Sequence, residues 1–308
     1  MSQPVAQPRV AGAHRTLHGA VTCESVSTVV TKHVEANGVR FAYLEQGTGP
    51  LVLMVHGFPD TAHTWEHAMP AVAAAGFRVV APFTRGYHPT SVPADGDYHT
   101  DTLGKDLISL IDALGGGDPA ILVGHDWGAF AAYAAAALAP KKLRLLVTVG
   151  IPHPRSVFPT PRNLWLVRHF ITLRRKRAPD KIRRDNFALV DHLVSRWSPA
   201  WTVPAGETDR VKEAFREPGC VEAALGYYRG IKLSLPPSHK LQISVPSVAF
   251  AGEHDQVAPR VYEKARKIFT SSYEVVQVPG GHFMHREHPQ NFNDELVRVL
   301  EDKGRVRA

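Results

Sequence analysis

The chain is poor in cysteine and has no long apolar run. Its two cysteines, Cys23 and Cys220, match no metal-binding or redox spacing. A reducing compartment is therefore expected, and we predict a cytoplasmic location. No apolar run approaches the roughly 20 residues that are needed to cross a bilayer, so no membrane span is predicted.

Signals for secretion and for metal binding are also missing. Residues 1–30 carry one basic residue before Val10 and no apolar core, which is atypical of a secretory signal. We expect them to form an extension ahead of the folded core. His56, His63 and His67 have no matching pattern of acids or cysteines, so we predict no metal site and no cofactor.

The remaining composition is that of a globular protein. Its 308 residues are 44% hydrophobic and 21% charged, which suits one large domain, with or without an insertion. The net charge of +7 is uneven, because residues 154–240 hold 17 Lys and Arg against 8 Asp and Glu. The basic run at 174–177 has no interleaved aromatic residues. We therefore favour a solvated surface over a nucleic-acid partner.

Strand and helix patterns alternate over most of the chain. Residues 32–46 alternate polar and apolar side chains around Asn37 and Gly38, which predicts a hairpin. Buried strands are predicted at 51–55, 77–81, 121–123, 143–149, 245–250 and 273–278, and helices at 65–75, 100–114, 130–138, 260–269 and 289–302. Such alternation predicts an α/β fold, a mostly parallel sheet covered by helices.

The alternation stops between residues 154 and 240. This segment has helical stretches, breaks marked by tryptophan or proline, and no convincing strand. We therefore predict a core formed by residues 31–153 and 241–308, with residues 154–240 inserted as an all-helical lid over the strand ends.

Residues 124–128, with the sequence Gly-His-Asp-Trp-Gly, join a strand pattern to an alanine-rich helix pattern. Small residues on both sides allow a sharp turn that exposes Asp126 in a cleft. A helix N-cap would give the same local pattern. A carboxylate placed as a nucleophile attacks sp³ carbon and forms an ester, which water then opens. Ester hydrolysis by serine is disfavoured, because Gly-x-Ser-x-Gly does not occur.

Asp255 and His282 follow two later predicted strands. The order of Asp126, Asp255 and His282 is that of a nucleophile, acid and histidine triad. His282 can turn one ring nitrogen toward Asp255 and use the other to take a proton from water. Each residue alone has an ordinary structural explanation, so the prediction rests on their order and their places at strand ends.

The loop at residues 56–59, His-Gly-Phe-Pro, follows the predicted strand at 51–55. Gly57 allows the chain to turn sharply, and the Phe58 amide can then point at a developing negative oxygen. We predict an oxyanion hole formed by the amides of Phe58 and Trp127. A plain turn at a strand end is the alternative.

These motifs resemble the α/β-hydrolase fold of the soluble epoxide hydrolase family, from about residue 32 onward. The lid segment 225–229, Leu-Gly-Tyr-Tyr-Arg, matches as well. The resemblance implies that an apolar epoxide is converted to a vicinal diol through an ester on Asp126, with no cofactor and a possible homodimer. It also implies that Tyr228 donates a hydrogen bond to the epoxide oxygen. Tyr227 is its rival, and simple packing under the lid is the alternative.

The chain departs from the family at a second lid donor, which is usually tyrosine. No tyrosine occurs between Tyr133 and Tyr227. The nearest match to the family position is Leu166, and His169 is the candidate replacement, because some members use histidine there. A surface or core histidine is the alternative for His169.

Two other functions remain open. Haloalkane dehalogenases use the same nucleophile and bind halide with the indole that corresponds to Trp127, but they usually carry asparagine where Phe58 stands. Their lid needs no tyrosine. A non-catalytic ligand-binding relative would keep the fold without turnover, which an intact triad argues against.

Overall fold

The computed structural model describes residues 30–157, 160, 161, 165, 167–232 and 234–305. Its strands are β1 (Lys32–Ala36), β2 (Val39–Gln46), β3 (Leu51–Val55), β4 (Arg78–Pro82), β5 (Ala120–His125), β6 (Leu143–Val149), β7 (Ser247–Gly252) and β8 (Tyr273–Val278). They form one sheet in the order β1-β2-β4-β3-β5-β6-β7-β8. β1 pairs antiparallel with β2 and β2 with β4, and the other neighbours are parallel. The predicted mostly parallel sheet is confirmed.

Helices cover the sheet and fill the segment between β6 and β7. They are α1 (Ala68–Ala74), α2 (Thr100–Leu114), α3 (Trp127–Leu138), α4 (Arg168–Leu173), α5 (Ala178–Trp197), α6 (Asp209–Arg216), α7 (Cys220–Gly230), α8 (Pro237–Lys240), α9 (Pro259–Glu263), α10 (Met284–Glu287) and α11 (Pro289–Val299). In the described part of the chain, no helix has the length and apolar character needed to cross a membrane.

The sequence explains why the strands form where they do. Asn37 and Gly38 both have positive φ, 46° and 73°, as the tight turn of the predicted hairpin requires. Every residue of β3, β5 and β7 is buried, as expected for central parallel strands covered on both faces. The carboxyl ends of these strands lie at one edge of the sheet, where the predicted site residues follow them.

Helices α4–α8 lie between β6 and β7, and the described residues there add no strand to the sheet. The inserted helical segment of the predicted fold is thus present, while its exact limits at residues 154 and 240 remain a prediction. Helix α5 is broken in the middle, where Asp185, Asn186 and Phe187 have positive φ. Except for Val30, the predicted extension at residues 1–30 lies outside the described residues.

Several helix limits differ from the sequence prediction. The helix expected at 65–75 begins at Ala68, after a separate 3₁₀ turn at Ala62–Trp65. The helix expected at 260–269 divides into α9 and a 3₁₀ helix at Lys264–Ile268. The closing helix α11 ends at Val299 and continues as a π-helix over Leu300–Gly304. Apolar spacing alone does not distinguish these tighter or wider turns from an α-helix.

A buried ion pair ties the strand-end loop after β4 to helix α2. The Arg85 guanidinium donates to both carboxylate oxygens of Asp106, each at 2.7 Å, and the two side chains are 1% and 4% exposed. The Asn37 amide donates to the same carboxylate at 2.7 Å, which adds the hairpin to the network. The Arg85 backbone carbonyl in turn accepts a hydrogen bond from Tyr227 of α7, so this network supports the lid as well.

Loss of this ion pair should destabilise the protein strongly. We expect Asp106→Asn to lower the free energy of unfolding by about 3 kcal/mol, because it leaves the Arg85 charge buried with only Asp95 as an acidic partner. The control is Asp112→Asn on the same helix, which breaks an exposed ion pair with Lys142 and should cost less than about 1 kcal/mol. Urea unfolding would measure both, and equal losses would contradict the prediction.

Candidate active site

The turn between β5 and α3 places Asp126 in a strained conformation at the edge of the sheet. Asp126 has φ 52° and ψ −116°, a region that non-glycine residues rarely adopt. The turn is possible because its flanking glycines leave room for backbone. A Cβ on Gly124 would collide with the Gly128 carbonyl, and one on Gly128 would collide with the carbonyl of Val55. The local geometry is that of a nucleophile elbow.

The carboxylate of Asp126 lies between a backbone donor and a histidine. The Phe58 N–H donates to Oδ1 at 2.8 Å. Nε2 of His282 lies 3.3 Å from Oδ2, and Nδ1 of the same ring lies 3.4 Å from Oδ2 of Asp255. The structure therefore brings the three predicted triad residues together, with the histidine between the two carboxylates.

The opposite charges of Asp126 and His282 stabilise each other. Burial by itself raises the pKa of the Asp126 carboxyl, but the close approach and charge of His282 outweigh burial and hold that pKa below its usual value. Burial likewise disfavours a charged His282, but contacts with Asp126 and Asp255 outweigh it and raise the pKa of the ring well above its usual value. Both effects favour an ionised Asp126 facing a protonated His282 in the resting protein.

The loop that carries the Phe58 amide is held by the histidine before it. Nε2 of His56 accepts a hydrogen bond from the Thr84 N–H at 2.9 Å, so the ring proton is on Nδ1, which lies 2.9 Å from the Gly57 carbonyl. Burial lowers the pKa of His56 to about 4, which keeps the ring neutral in this role. His56 belongs to the 56–59 motif, but the sequence pattern gives no sign of its hydrogen bond to Thr84 or of its contribution to the loop.

Gly57 is required because the loop passes directly over the nucleophile. A Cβ at this position would collide with Oδ1 of Asp126 and would crowd the backbone nitrogen of Trp127. The Phe58 amide therefore already contacts the carboxylate, and the Trp127 amide lies next to it. A donor role for the Trp127 amide during the reaction remains a prediction.

Three further contacts fix the loop that carries His282. Nε2 of His125, a buried ring next to the nucleophile, lies 3.0 Å from the His282 carbonyl and donates to it. From the inserted segment, the Ser198 hydroxyl accepts a hydrogen bond from the Phe283 N–H at 3.1 Å. The ring of Trp197 lies against His282, with centroids 5.5 Å apart. Only the fold brings Trp197 and Ser198 to the triad, so sequence reasoning missed them. His125 is adjacent to Asp126 in the sequence, but the motif gives no sign of its hydrogen bond to the His282 carbonyl.

Tyr228 lies against two residues that surround the Asp126 carboxylate. It is 1% exposed, and its ring packs edge-on against Phe58 and Trp127, each with centroids 5.1 Å away. Burial raises the pKa of Tyr228 well above its usual value, and the Asp126 charge raises it further. The phenol therefore keeps its proton, as a hydrogen-bond donor must.

The neighbouring Tyr227 points elsewhere. Its hydroxyl donates to the Arg85 carbonyl at 2.8 Å, on the side of the ion pair with Asp106. The Tyr227 hydroxyl is therefore already bound to the core, whereas the Tyr228 ring packs on Phe58 and Trp127 and its pKa is raised by burial and by the Asp126 charge. Of the two tyrosines that the sequence left as rivals, the geometry favours Tyr228.

His169 lies at the rim of the same aromatic group. Its ring centroid is 4.9 Å from Trp197 and 6.0 Å from Tyr228. The ring centroid of Phe170, from the same helix, lies 5.0 Å from that of Tyr228, so α4 covers the site. His169 stays a predicted second donor. Leu166, the other position considered for that donor, lies outside the described residues.

Among the residues that the structure describes, no group of three or more His, Cys, Asp or Glu side chains is arranged to hold a metal ion.

The candidate site combines the Asp126 carboxylate, a histidine between two acids, a backbone donor and the buried phenol of Tyr228. This arrangement can attack an electrophilic carbon, stabilise an oxyanion and donate a hydrogen bond to a leaving oxygen.

Comparison with known proteins agrees with this geometry. The family model of the α/β-hydrolase fold matches residues 50–289. An epoxide hydrolase of Caballeronia sordidicola is 30% identical over 321 residues, covering 91% of this chain and 96% of that protein. Epoxide hydrolase A of Mycobacterium tuberculosis is 29% identical and covers 87% of this chain and 96% of that protein.

A solved structure shares the fold at lower identity. The crystal structure of a Bacillus megaterium epoxide hydrolase in complex with an inhibitor has a TM-score of 0.79, is 24% identical, and covers 88% of this chain and all of that one. Together with the sequence matches, this shows that the chain belongs to the epoxide hydrolase family of the α/β-hydrolase fold.

Proposed function

We propose that this protein hydrolyses an apolar epoxide to a vicinal diol through an ester on Asp126. The observation that carries the proposal is the buried Tyr228 phenol, whose ring packs on Phe58 and Trp127 beside the Asp126 carboxylate. An epoxide leaves as an alkoxide, so it needs a donor on the far side of the attacked carbon. The aromatic surroundings of Tyr228 suit an apolar substrate.

In the first step, Oδ2 of Asp126 attacks an epoxide carbon and the C–O bond of the ring breaks. Oδ2 is the attacking oxygen, because Oδ1 accepts the Phe58 N–H hydrogen bond and becomes the ester carbonyl. The epoxide oxygen takes its proton from Tyr228, with His169 as the proposed second donor. No cofactor takes part in this step.

In the second step, water attacks the ester carbonyl. Esterification removes the Asp126 charge that helps hold the proton on His282, so the pKa of the ring falls and its proton passes through solvent to the Tyr228 phenolate. The neutral ring then takes a proton from the attacking water. When the tetrahedral intermediate breaks its bond to the diol oxygen, that oxygen takes this proton from His282, and the Asp126 carboxyl gives its own proton back to the ring. Asp255 orients the ring and stabilises its cation. The oxyanion rests on the amides of Phe58 and Trp127, each worth about 3 kcal/mol by the measure of other oxyanion holes.

A reducing, cytoplasmic location is part of this proposal. It is supported by the low cysteine content, and the one cysteine among the described residues, Cys220, is buried and free.

The origin of the diol oxygen tests the covalent step. In a single turnover with excess enzyme in oxygen-18 water, the diol should contain no label, because its new oxygen comes from Asp126. After many turnovers the label should appear. Asp126→Ala should remove turnover. Mass spectrometry of the diol checks this, and label in the first-turnover product would show direct attack by water.

Replacing the base should separate the two steps. His282→Gln should accumulate an enzyme whose mass is raised by one substrate, since alkylation continues and ester hydrolysis stops. Exposed His254→Gln, in the loop beside Asp255, is the control and should turn over normally. In the parent protein, ester hydrolysis should slow at acid pH as His282 holds its proton, while alkylation should not slow above the lowered pKa of Asp126. Full turnover by His282→Gln would place the base elsewhere.

The tyrosine pair offers a matched test of the acid. Tyr228→Phe should slow alkylation by about 10²–10⁴, the usual contribution of general acid catalysis. Tyr227→Phe removes the same atom from the adjacent residue, and it should leave alkylation within a few-fold of the parent. His169→Ala should slow alkylation if it shares the donor role. Stopped-flow quenching of Trp127 fluorescence gives the rates, and halide release by a fast Tyr228→Phe enzyme would favour a dehalogenase instead.

A further inference from the structure

Helix α4 has an inner face that covers the candidate site and an outer face that is apolar and exposed. On the inner face, Phe170 contacts Tyr228 and Leu173 is buried. On the outer face, Ile171 is 64% exposed and Val167 is 40% exposed, and nearby Trp165 is 58% exposed. Single exposed apolar residues are ordinary, but a group of them marks an interaction surface.

Positive charge surrounds these apolar residues. The Arg168 guanidinium lies over the Trp165 ring, 3.6 Å from its centroid. The basic residues 174–177 follow α4 directly and are exposed. Because the Arg174 N–H donates to the Phe170 carbonyl at 3.1 Å, the helical turn continues past the end of α4. Helical spacing then places Arg168, Ile171 and Arg174 on one side.

Exposed apolar side chains surrounded by positive charge favour one kind of partner. A second copy of the chain would bring like charges together if the same face met itself. A nucleic acid would use the charges but leave the exposed aliphatic side chains in water. An anionic bilayer surface uses both, because basic residues bind the headgroups while tryptophan and aliphatic side chains enter the interface.

We propose that Trp165, Val167, Arg168, Ile171 and the basic run 174–177 form a docking surface for an anionic lipid bilayer. An α-helix with its side chains is roughly 10 Å across, so after docking only the thickness of α4 separates the candidate site from the lipid. The substrate class that follows is an epoxide dissolved in the membrane. This last step rests on the proposed function, whereas docking itself does not.

Sedimentation with vesicles tests the docking surface without any substrate. The full-length protein should bind vesicles of phosphatidylcholine with 30% phosphatidylglycerol more strongly than pure phosphatidylcholine vesicles. The variant Arg175→Gln/Lys176→Gln/Arg177→Gln should lose more than about tenfold in partition coefficient, since each charge near an anionic surface is worth roughly fivefold. Trp165→Ala/Ile171→Ser should also bind more weakly.

The control removes the same charge from other surfaces. Lys105→Gln/Lys141→Gln/Lys267→Gln has the same net charge, and all three of its lysines are exposed. Lys105 lies in α2, Lys141 just before β6, and Lys267 in the 3₁₀ helix that precedes β8. This variant should bind vesicles within about threefold of the parent. Equal losses in the two triple variants would show that net charge alone attracts the protein, and would overturn the proposal.

The remaining outcomes separate this proposal from the proposed function. Parent protein that opens a water-soluble epoxide but does not sediment with anionic vesicles contradicts the docking surface alone. Parent protein that sediments but opens no epoxide contradicts the function alone. Binding to duplex DNA without binding to anionic vesicles would replace the bilayer by a nucleic acid and overturn the proposal.

Discussion

The candidate site depends on keeping the charge of a buried carboxylate. A carboxylate as buried as Asp126 would ordinarily take up a proton, because burial disfavours the charged form. The Phe58 N–H on Oδ1 and the His282 ring near Oδ2 reverse that preference. Asp255 on the far side of the ring then balances the histidine's charge. The charges of Asp126 and His282 therefore depend on each other.

The rest of the fold supplies the positions for this group. Four strand ends, those of β3, β5, β7 and β8, deliver its members to one edge of the sheet. Neutral histidines hold the two loops that must not move: His56 holds the loop of Phe58, and His125 holds the loop of His282. Their burial lowers the pKa of both rings, so they serve as fixed hydrogen-bonding groups and not as acids or bases.

The sequence predicted those parts of the structure that depend on local patterns. The strands, the hairpin turn at Asn37 and the elbow at Asp126 follow from spacing and from glycine positions, and so does the order of the triad. The long-range contacts could not be predicted. The break inside α5 at Asp185 and the Ser198 contact with Phe283 depend on how segments far apart in the sequence pack. The choice between Tyr227 and Tyr228 required the Arg85 carbonyl, 142 residues away from Tyr227.

Polar contacts between the inserted segment and the core explain how the lid tyrosine is positioned. Arg286, four residues after His282, contacts Asp60 at 3.1 Å in the loop after β3 and Glu207 at 2.7 Å in the inserted segment. Removing one partner of such a buried pair costs about 3–5 kcal/mol, so the contact resists separation of lid and core. The hydrogen bond from Tyr227 to Arg85 ties α7 itself to the core beside the nucleophile before any ligand binds. A donor and a nucleophile that are already in place need little rearrangement in the transition state, which is how preorganised sites lower barriers.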